Sequence, residues 1–137
     1  MILQHVALVC TSEEKSDKFY QDLLGLKKSE PKTLPSALSK SIFNLDSELV
    51  IINYLNEHLH FEIFITDRSQ DSTRQIEHYC LEVGNLEDFI DKCRMLGVEL
   101  AQIPKGDRTL TFIKDFDGNL FEIKRSALSE NRPATRD

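Results

Sequence analysis

The chain's 137 residues, 40% hydrophobic and 29% charged, suffice for one packed domain or two small fused modules, not for two independent domains. With 23 acidic against 17 basic residues the formal net charge is −6, which argues against the clustered basic face that nucleic-acid binding requires. The longest purely aliphatic run, Leu49 to Ile52, is far short of a bilayer span and no secretory leader is read at the start, so a cytoplasmic protein with no membrane partner is expected.

Residues 2–10 are apolar and β-prone, predicting a strand. A helix follows, with Thr11 or Ser12 to cap it and Thr11 and Glu14 at capping-box spacing. Phe19, Tyr20, Leu23 and Leu24 give that helix one apolar face, and Gly25 stands where a left-handed residue ends a helix. Pro31 and Pro35 interrupt the next stretch, and Pro35 opens a short helix through Phe43. Strands are predicted over 48–55 and 59–65, joined at Asn56-Glu57. Residues 76–83 read as strand again and Asn85 as an N-cap. Leu86, Phe89, Ile90, Cys93 and Leu96 then recur at helical spacing before Gly97. Strands over about 98–103, 108–114 and 119–124 complete the pattern. The last two are joined by Asp115-Phe-Asp-Gly-Asn119, a β-turn with glycine at a positive φ rather than a calcium loop, since the order of an EF-hand is absent. The polar stretch 126–137 is expected to be a frayed tail.

This order of elements occurs twice. Leu24-Gly25-Leu26 is answered by Leu96-Gly97-Val98, and His5 to Gly25 spans 20 residues where His78 to Gly97 spans 19. The chain is therefore expected to form a single domain over 1–125 made of two modules, about 1–68 and 74–125. The interval from Gly25 to Glu62 is 37 residues and that from Gly97 to Glu122 is 25, so the first module carries about a dozen extra residues before its last strand. That insertion is expected to face substrate or an interface.

Side chains alternate across a strand, so each strand divides into two faces. In both halves one face is apolar, as in Phe61, Ile63, Leu81, Phe121 and Ile123, and takes the helices as its core. The opposite face collects His5, Glu62, His78 and Glu122, a histidine on the first strand and a glutamate on the last strand of each module. Two imidazoles and two carboxylates suit a divalent ion such as zinc, nickel, cobalt, manganese or ferrous iron better than calcium. The three cysteines (Cys10, Cys80 and Cys93) form no CxxC pair and fit free thiols rather than disulfides or a thiolate metal site.

The sequence resembles the vicinal oxygen chelate superfamily, which includes glyoxalase I, methylmalonyl-CoA epimerase, extradiol dioxygenases, fosfomycin-resistance enzymes and bleomycin-binding proteins. The resemblance is carried by Gln4-His5-Val6-Ala7-Leu8, Phe19-Tyr20 with Leu24-Gly25-Leu26, and Phe61-Glu62-Ile63-Phe64. In the second half it is carried by Glu77-His78-Tyr79, Leu96-Gly97-Val98 and the run from Asp115 to Ile123. It implies an α+β fold of two βαβββ modules whose strands form a half-open barrel around one metal, with His5, Glu62, His78 and Glu122 as its ligands. The His and Glu pattern is most similar to glyoxalase I, which implies a metal-dependent lyase or isomerase acting on a small carbonyl compound through an enolate or enediolate. Glu122 or Glu62 then removes and returns the proton. Epimerase relatives commonly carry an amide where Glu62 stands, and Val9 occupies the place of the arginine that grips glutathione in glyoxalase I. The resemblance also implies a homodimer.

His60, Cys80 and Arg108 are further candidates to line the substrate pocket, with Lys124 on a neighbouring strand. The alternatives to the lyase or isomerase are a ring-cleaving dioxygenase, another metal-dependent member of the same fold, and a non-catalytic module that binds a small molecule.

Overall fold

The computed structural model describes residues 1–67 and 76–126. The expected tail from 127 onward and the join between the modules at 68–74 lie outside the described residues. The chain divides into two compact units, Met1–Asp71 and Ser72–Asp137, and each is a βαβββ module with its own sheet. The fold class is therefore α+β.

The first unit runs β1 (Val6–Cys10), α1 (Glu13–Ser16), a π-helical continuation (Asp17–Leu23), β2 (Lys27–Lys28), β3 (Lys32–Leu34), α2 (Ser36–Phe43), β4 (Leu49–Leu55) and β5 (His60–Ile65). Its strand order is β1-β5-β4-β2, with β3 also on β4. The strand expected over 2–10 begins only at Val6, because its parallel partner β5 begins at His60 and leaves residues 1–4 nothing to pair with. The N-cap is Ser12, not Thr11, and its hydroxyl accepts from the Lys15 amide at 3.2 Å. Sequence reading had no signal for β2 and β3. They are two pieces of one edge strand on β4, and Ser29 bridges them through its amide to the Asn53 carbonyl at 2.9 Å.

The second unit repeats the plan with β6 (His78–Val83), α3 (Leu86–Leu96), β7 (Glu99–Lys105), β8 (Arg108–Lys114) and β9 (Leu120–Arg125), in the order β6-β9-β8-β7. Asn85 caps α3 by accepting from the Asp88 amide at 3.0 Å. The insertion in the first unit is now located. Residues 35–48, with α2 at their centre, stand where the second unit has only the Gly106-Asp107 turn between β7 and β8.

Both long helices end in the same way. Gly25 and Gly97 have φ of 72° and 71°, which costs little only without a Cβ. The amides of Leu26 and Val98 reach back to the carbonyls of Tyr20 and Cys93, and both residues are buried. This C-terminal clasp turns the chain back onto the sheet. Packing then follows the pattern read from the sequence. Tyr20 lies against Phe19, Tyr54 and Phe61 with ring centroids 4.9 to 5.5 Å apart, and Leu8, Ile52 and Ile63 of the same unit are buried as well. In the second unit Ile90, Cys93 and Val98 are buried with Leu81, Ile113, Phe121 and Ile123.

Two polar devices lock these cores. In the first unit Tyr54 donates its hydroxyl to Asp17 Oδ1 at 2.7 Å, and Lys28 Nζ reaches Asp17 Oδ2 at 3.0 Å and Glu13 at 2.7 Å. In the second, buried Asp115 accepts from the amides of Asp117 and Asn119 and from the Asn119 side chain, at 2.6 to 2.9 Å. That turn sets where β9 starts. Asp115→Ala removes the acceptor of all three of these hydrogen bonds and is expected to destabilise the protein by about 2–4 kcal/mol, read from denaturant unfolding.

Burial pushes the Tyr54 phenol well above its ordinary range, with the bond to Asp17 adding to it. The Lys28 ammonium is also raised, first by its bond to Glu13. Both folded groups hold protons that the unfolded chain releases near pH 10, so the folded state binds more protons there and stability falls as pH rises. Stability is therefore expected to be full below about pH 10 and to decline above it. Tyr54→Phe should lower stability at neutral pH by about 1 kcal/mol and flatten the alkaline decline, measured by urea unfolding at several pH values.

Candidate metal centre

The candidate donors of each unit lie on the strand pair at one edge of its sheet. β1 and β5 run parallel, with Ala7 the Cα partner of Glu62. β6 and β9 run parallel, with Cys80 the partner of Glu122. His5 precedes Ala7 by two residues and His78 precedes Cys80 by two, so alternation puts each histidine on the face of its glutamate. The helix that follows the first strand packs on the other face, as the Tyr20–Phe61 contact shows for the first unit.

In the first unit His5 Nε2 lies 3.6 Å from Glu62 Oε2, with the side chains 43% and 23% exposed. In the second, His78 Nε2 lies 3.8 Å from Glu122 Oε2, with 39% and 16% exposed. These separations are within a few tenths of an ångström of the roughly 3–3.5 Å edge between two donors bound to one zinc-like ion. Among the described residues the donors stand as these pairs, one in each unit, and no group of three or more His, Cys, Asp and Glu side chains is gathered.

The tautomer of His78 is fixed. Its Nδ1 lies 2.8 Å from the Ile76 carbonyl, which only accepts, so Nδ1 carries a proton and Nε2 is the ring nitrogen turned toward Glu122. This is the arrangement by which proteins orient a histidine toward a metal. The donor set therefore fits a divalent ion of the zinc, manganese or iron type. His5 is placed differently, with its ring 5.3 Å from that of His60. His60 is held in turn by Asn53, Nε2 to Oδ1 at 2.7 Å.

The flanks of the two pairs differ. Asn53 is the Cα partner of Glu62, whereas Phe112 is the partner of Glu122 and lies edge-on to His78 with ring centroids 6.0 Å apart. Phe64, two residues beyond Glu62, is buried under Phe43 of α2 at 5.4 Å. Its counterpart beyond Glu122 is Lys124, whose Nζ is 3.9 Å from Glu122 Oε1. Cys80 is exposed on this face, and partial desolvation raises its thiol, with Glu122 adding to the shift. It stands as a thiol, not a thiolate. All three cysteines are free.

Arg108 lies on the same face of β8 as Phe112 but at the hairpin tip, four residues away, or roughly 13 Å along the strand. Sequence reading missed Asn53 and Phe112. Their strands were visible, but only the register of β4 on β5 and of β8 on β9 shows which of their residues flank a glutamate.

The chain matches the Glyoxalase/Bleomycin resistance protein/Dioxygenase superfamily over residues 2–123 and belongs to it. A comparison with curated proteins finds no match. Among solved structures, the chain is similar to a mutant of the genomically encoded fosfomycin resistance protein FosX from Listeria monocytogenes, complexed with Mn(II) and 1S,2S-dihydroxypropylphosphonic acid. That similarity has a TM-score of 0.70 at 22% identity, over 93% of this chain and 96% of that one. A glyoxalase family protein from Enterococcus faecalis matches with a TM-score of 0.68 at 21% identity, covering 89% and 95%. FosX from Mesorhizobium loti matches with a TM-score of 0.66 at 15% identity, covering 94% and 96%. At these identities the likeness establishes the shared fold. Among the described residues no helix is long and apolar enough to cross a membrane.

Proposed function

We infer that the His–Glu pair of each unit, His5 with Glu62 and His78 with Glu122, supplies donors for a divalent metal, and that the protein is a metal-dependent, glyoxalase-like lyase or isomerase acting on a small carbonyl compound. The observation that carries this reading is the repetition of one device, a histidine two residues before the strand partner of a glutamate, in both units. A single strand histidine beside a glutamate is commonplace; the same spacing and the same 3.6 to 3.8 Å approach in both halves is not. The Mn(II) in the Listeria protein's structure shows that a member of this fold takes such an ion.

When bound, a divalent ion supplies Lewis-acid polarisation of a carbonyl oxygen. The chain's own residues supply the rest. The Nδ1 bond to Ile76 keeps His78 oriented, and Phe112 packs beside its ring. Asn53 and His60 line the corresponding place beside Glu62 and keep it polar. Glu122, the more enclosed carboxylate, is the group assigned to remove and return a proton on the carbon next to the carbonyl.

His78→Ala is expected to weaken binding of Mn(II) or Zn(II) by more than the about 10–100-fold typical of losing an outer-shell partner. Metal analysis and titration read the effect. Stoichiometric metal retained by the His5→Ala/His78→Ala double variant would remove the assignment.

The carboxylates are separated by Glu→Gln replacement, with deuterium exchange into α-oxo-aldehyde thiol adducts and acyl-CoA thioesters as the assay and metal content measured in parallel. Glu122→Gln should keep most of its metal and slow exchange by roughly a hundredfold or more. Glu62→Gln should be milder, since epimerase relatives carry an amide there. Full exchange in the Glu122 variant would move the role of base to Glu62.

A further inference from the structure

The units agree at their His and Glu positions and diverge at the second residue after each glutamate. Phe64 fills that place in the first unit and is covered by Phe43. Lys124 fills it in the second, 39% exposed and on the face of Glu122. Glu122 thereby lies between an imidazole and an ammonium, with His78 Nε2 3.8 Å from one oxygen and Lys124 Nζ 3.9 Å from the other. Other charged residues share the face: Glu82, the Cα partner of Lys124, Lys114, the partner of Leu120, and, farther along β7 and β8, Glu99, Lys105 and Arg108. Among the described residues Lys124 forms its ion pair with Glu122 and not with Glu82.

A metal ion changes this balance. Once the Glu122 charge is taken up by a divalent ion, the ammonium loses its partner and faces a like charge a few ångströms away. That arrangement favours a third group, an anion touching both. A lysine suits the task, being a compact charge on a flexible stem that can follow the anion.

We propose that Lys124 is the anion anchor of this site, and that the ligand the protein takes carries an oxyanion, a carboxylate or a phosphate-type group, held by Lys124 next to the metal donors His78 and Glu122. This rests on the metal reading given above. In the first unit the equivalent position is not cationic, because Phe64 occupies it and packs under α2. Oxyanion recognition is therefore a property of the second unit.

The test uses the full chain loaded with Mn(II), titrated by calorimetry with inorganic phosphate and, separately, with acetate, while the Mn(II) resonance is followed. At least one anion should bind only when Mn(II) is present and should perturb its resonance. Lys124→Met should weaken that binding by about tenfold or more, the loss of one charge-assisted hydrogen bond, without weakening Mn(II) binding. Lys124→Arg should retain most of the affinity, and Lys105→Met, at the β7–β8 hairpin, should change nothing. Tighter phosphate than acetate assigns the phosphate-type group, and the reverse order the carboxylate. Equal anion affinity in wild type and Lys124→Met would overturn the anchor while leaving the metal reading intact. So would anion binding that ignores Mn(II), or no anion binding by the loaded protein. Failure of the wild type to bind Mn(II) at all would overturn the metal reading and the anchor with it.

Discussion

Parallel pairing of the first and last strands of each unit is the constraint on which the candidate site depends. In β1–β5 and in β6–β9 the register sets a residue of the first strand opposite a glutamate of the last, and alternation then delivers the histidine two places earlier to the same face. A slip of one residue would send the glutamate into the core and bring Phe61 or Phe121 to the surface, so burial of those aromatics also holds the donors in place. Parallel strands cannot be joined by a tight turn. In each unit the whole set of intervening elements serves as the connection.

That connection also decides which face stays open. A helix ending in a left-handed glycine folds back under a buried Leu26 or Val98 and covers one side of its sheet. Among the described residues of the second unit no helix covers the other side, and its polar residues remain accessible. In the first unit α2 lies over a portion of the equivalent side, reaching Phe64 through Phe43. The polar locks at Tyr54–Asp17–Lys28 and at Asp115–Asn119 act on the strands that carry or flank the glutamates. They belong to the fold, yet they determine how firmly the site is held.

Much of this was legible in the sequence, and what was not had physical reasons. α3 was bounded correctly because Asn85 and Gly97 act locally, through their own side chain and backbone. Pro35 marks the start of α2, and a strand over 108–114 is expected where β8 lies. The lysine-rich β2 and β3 were not found, since two- and three-residue pieces around Pro31 are strands only through their pairing with β4. The π-helical stretch from Asp17 to Leu23 has no distinguishing pattern, because its apolar face reads as an α-helix. Each histidine and glutamate was visible through the duplication. The Asn53–His60 and Lys124–Glu122 contacts were not, for they depend on cross-strand register and on rotamers.

The difference between the two flanks follows from which of them is covered. Lys124 lies on a face that no described helix of its unit covers, so its ammonium keeps water and its stem rests on the sheet at little cost. At Phe64 the same residue would bring a charge beneath Phe43, an expensive burial. The inserted α2 and the apolar character of Phe64 are thus coupled: the helix needs an apolar seat on the sheet, and the seat excludes a cation. Two units of one plan can therefore hold the same His–Glu frame through strand pairing while a cation is accommodated beside it only in the half without the inserted helix. Strand register fixes the chemistry common to both units, and coverage of the open face decides which unit can carry an anion-binding residue.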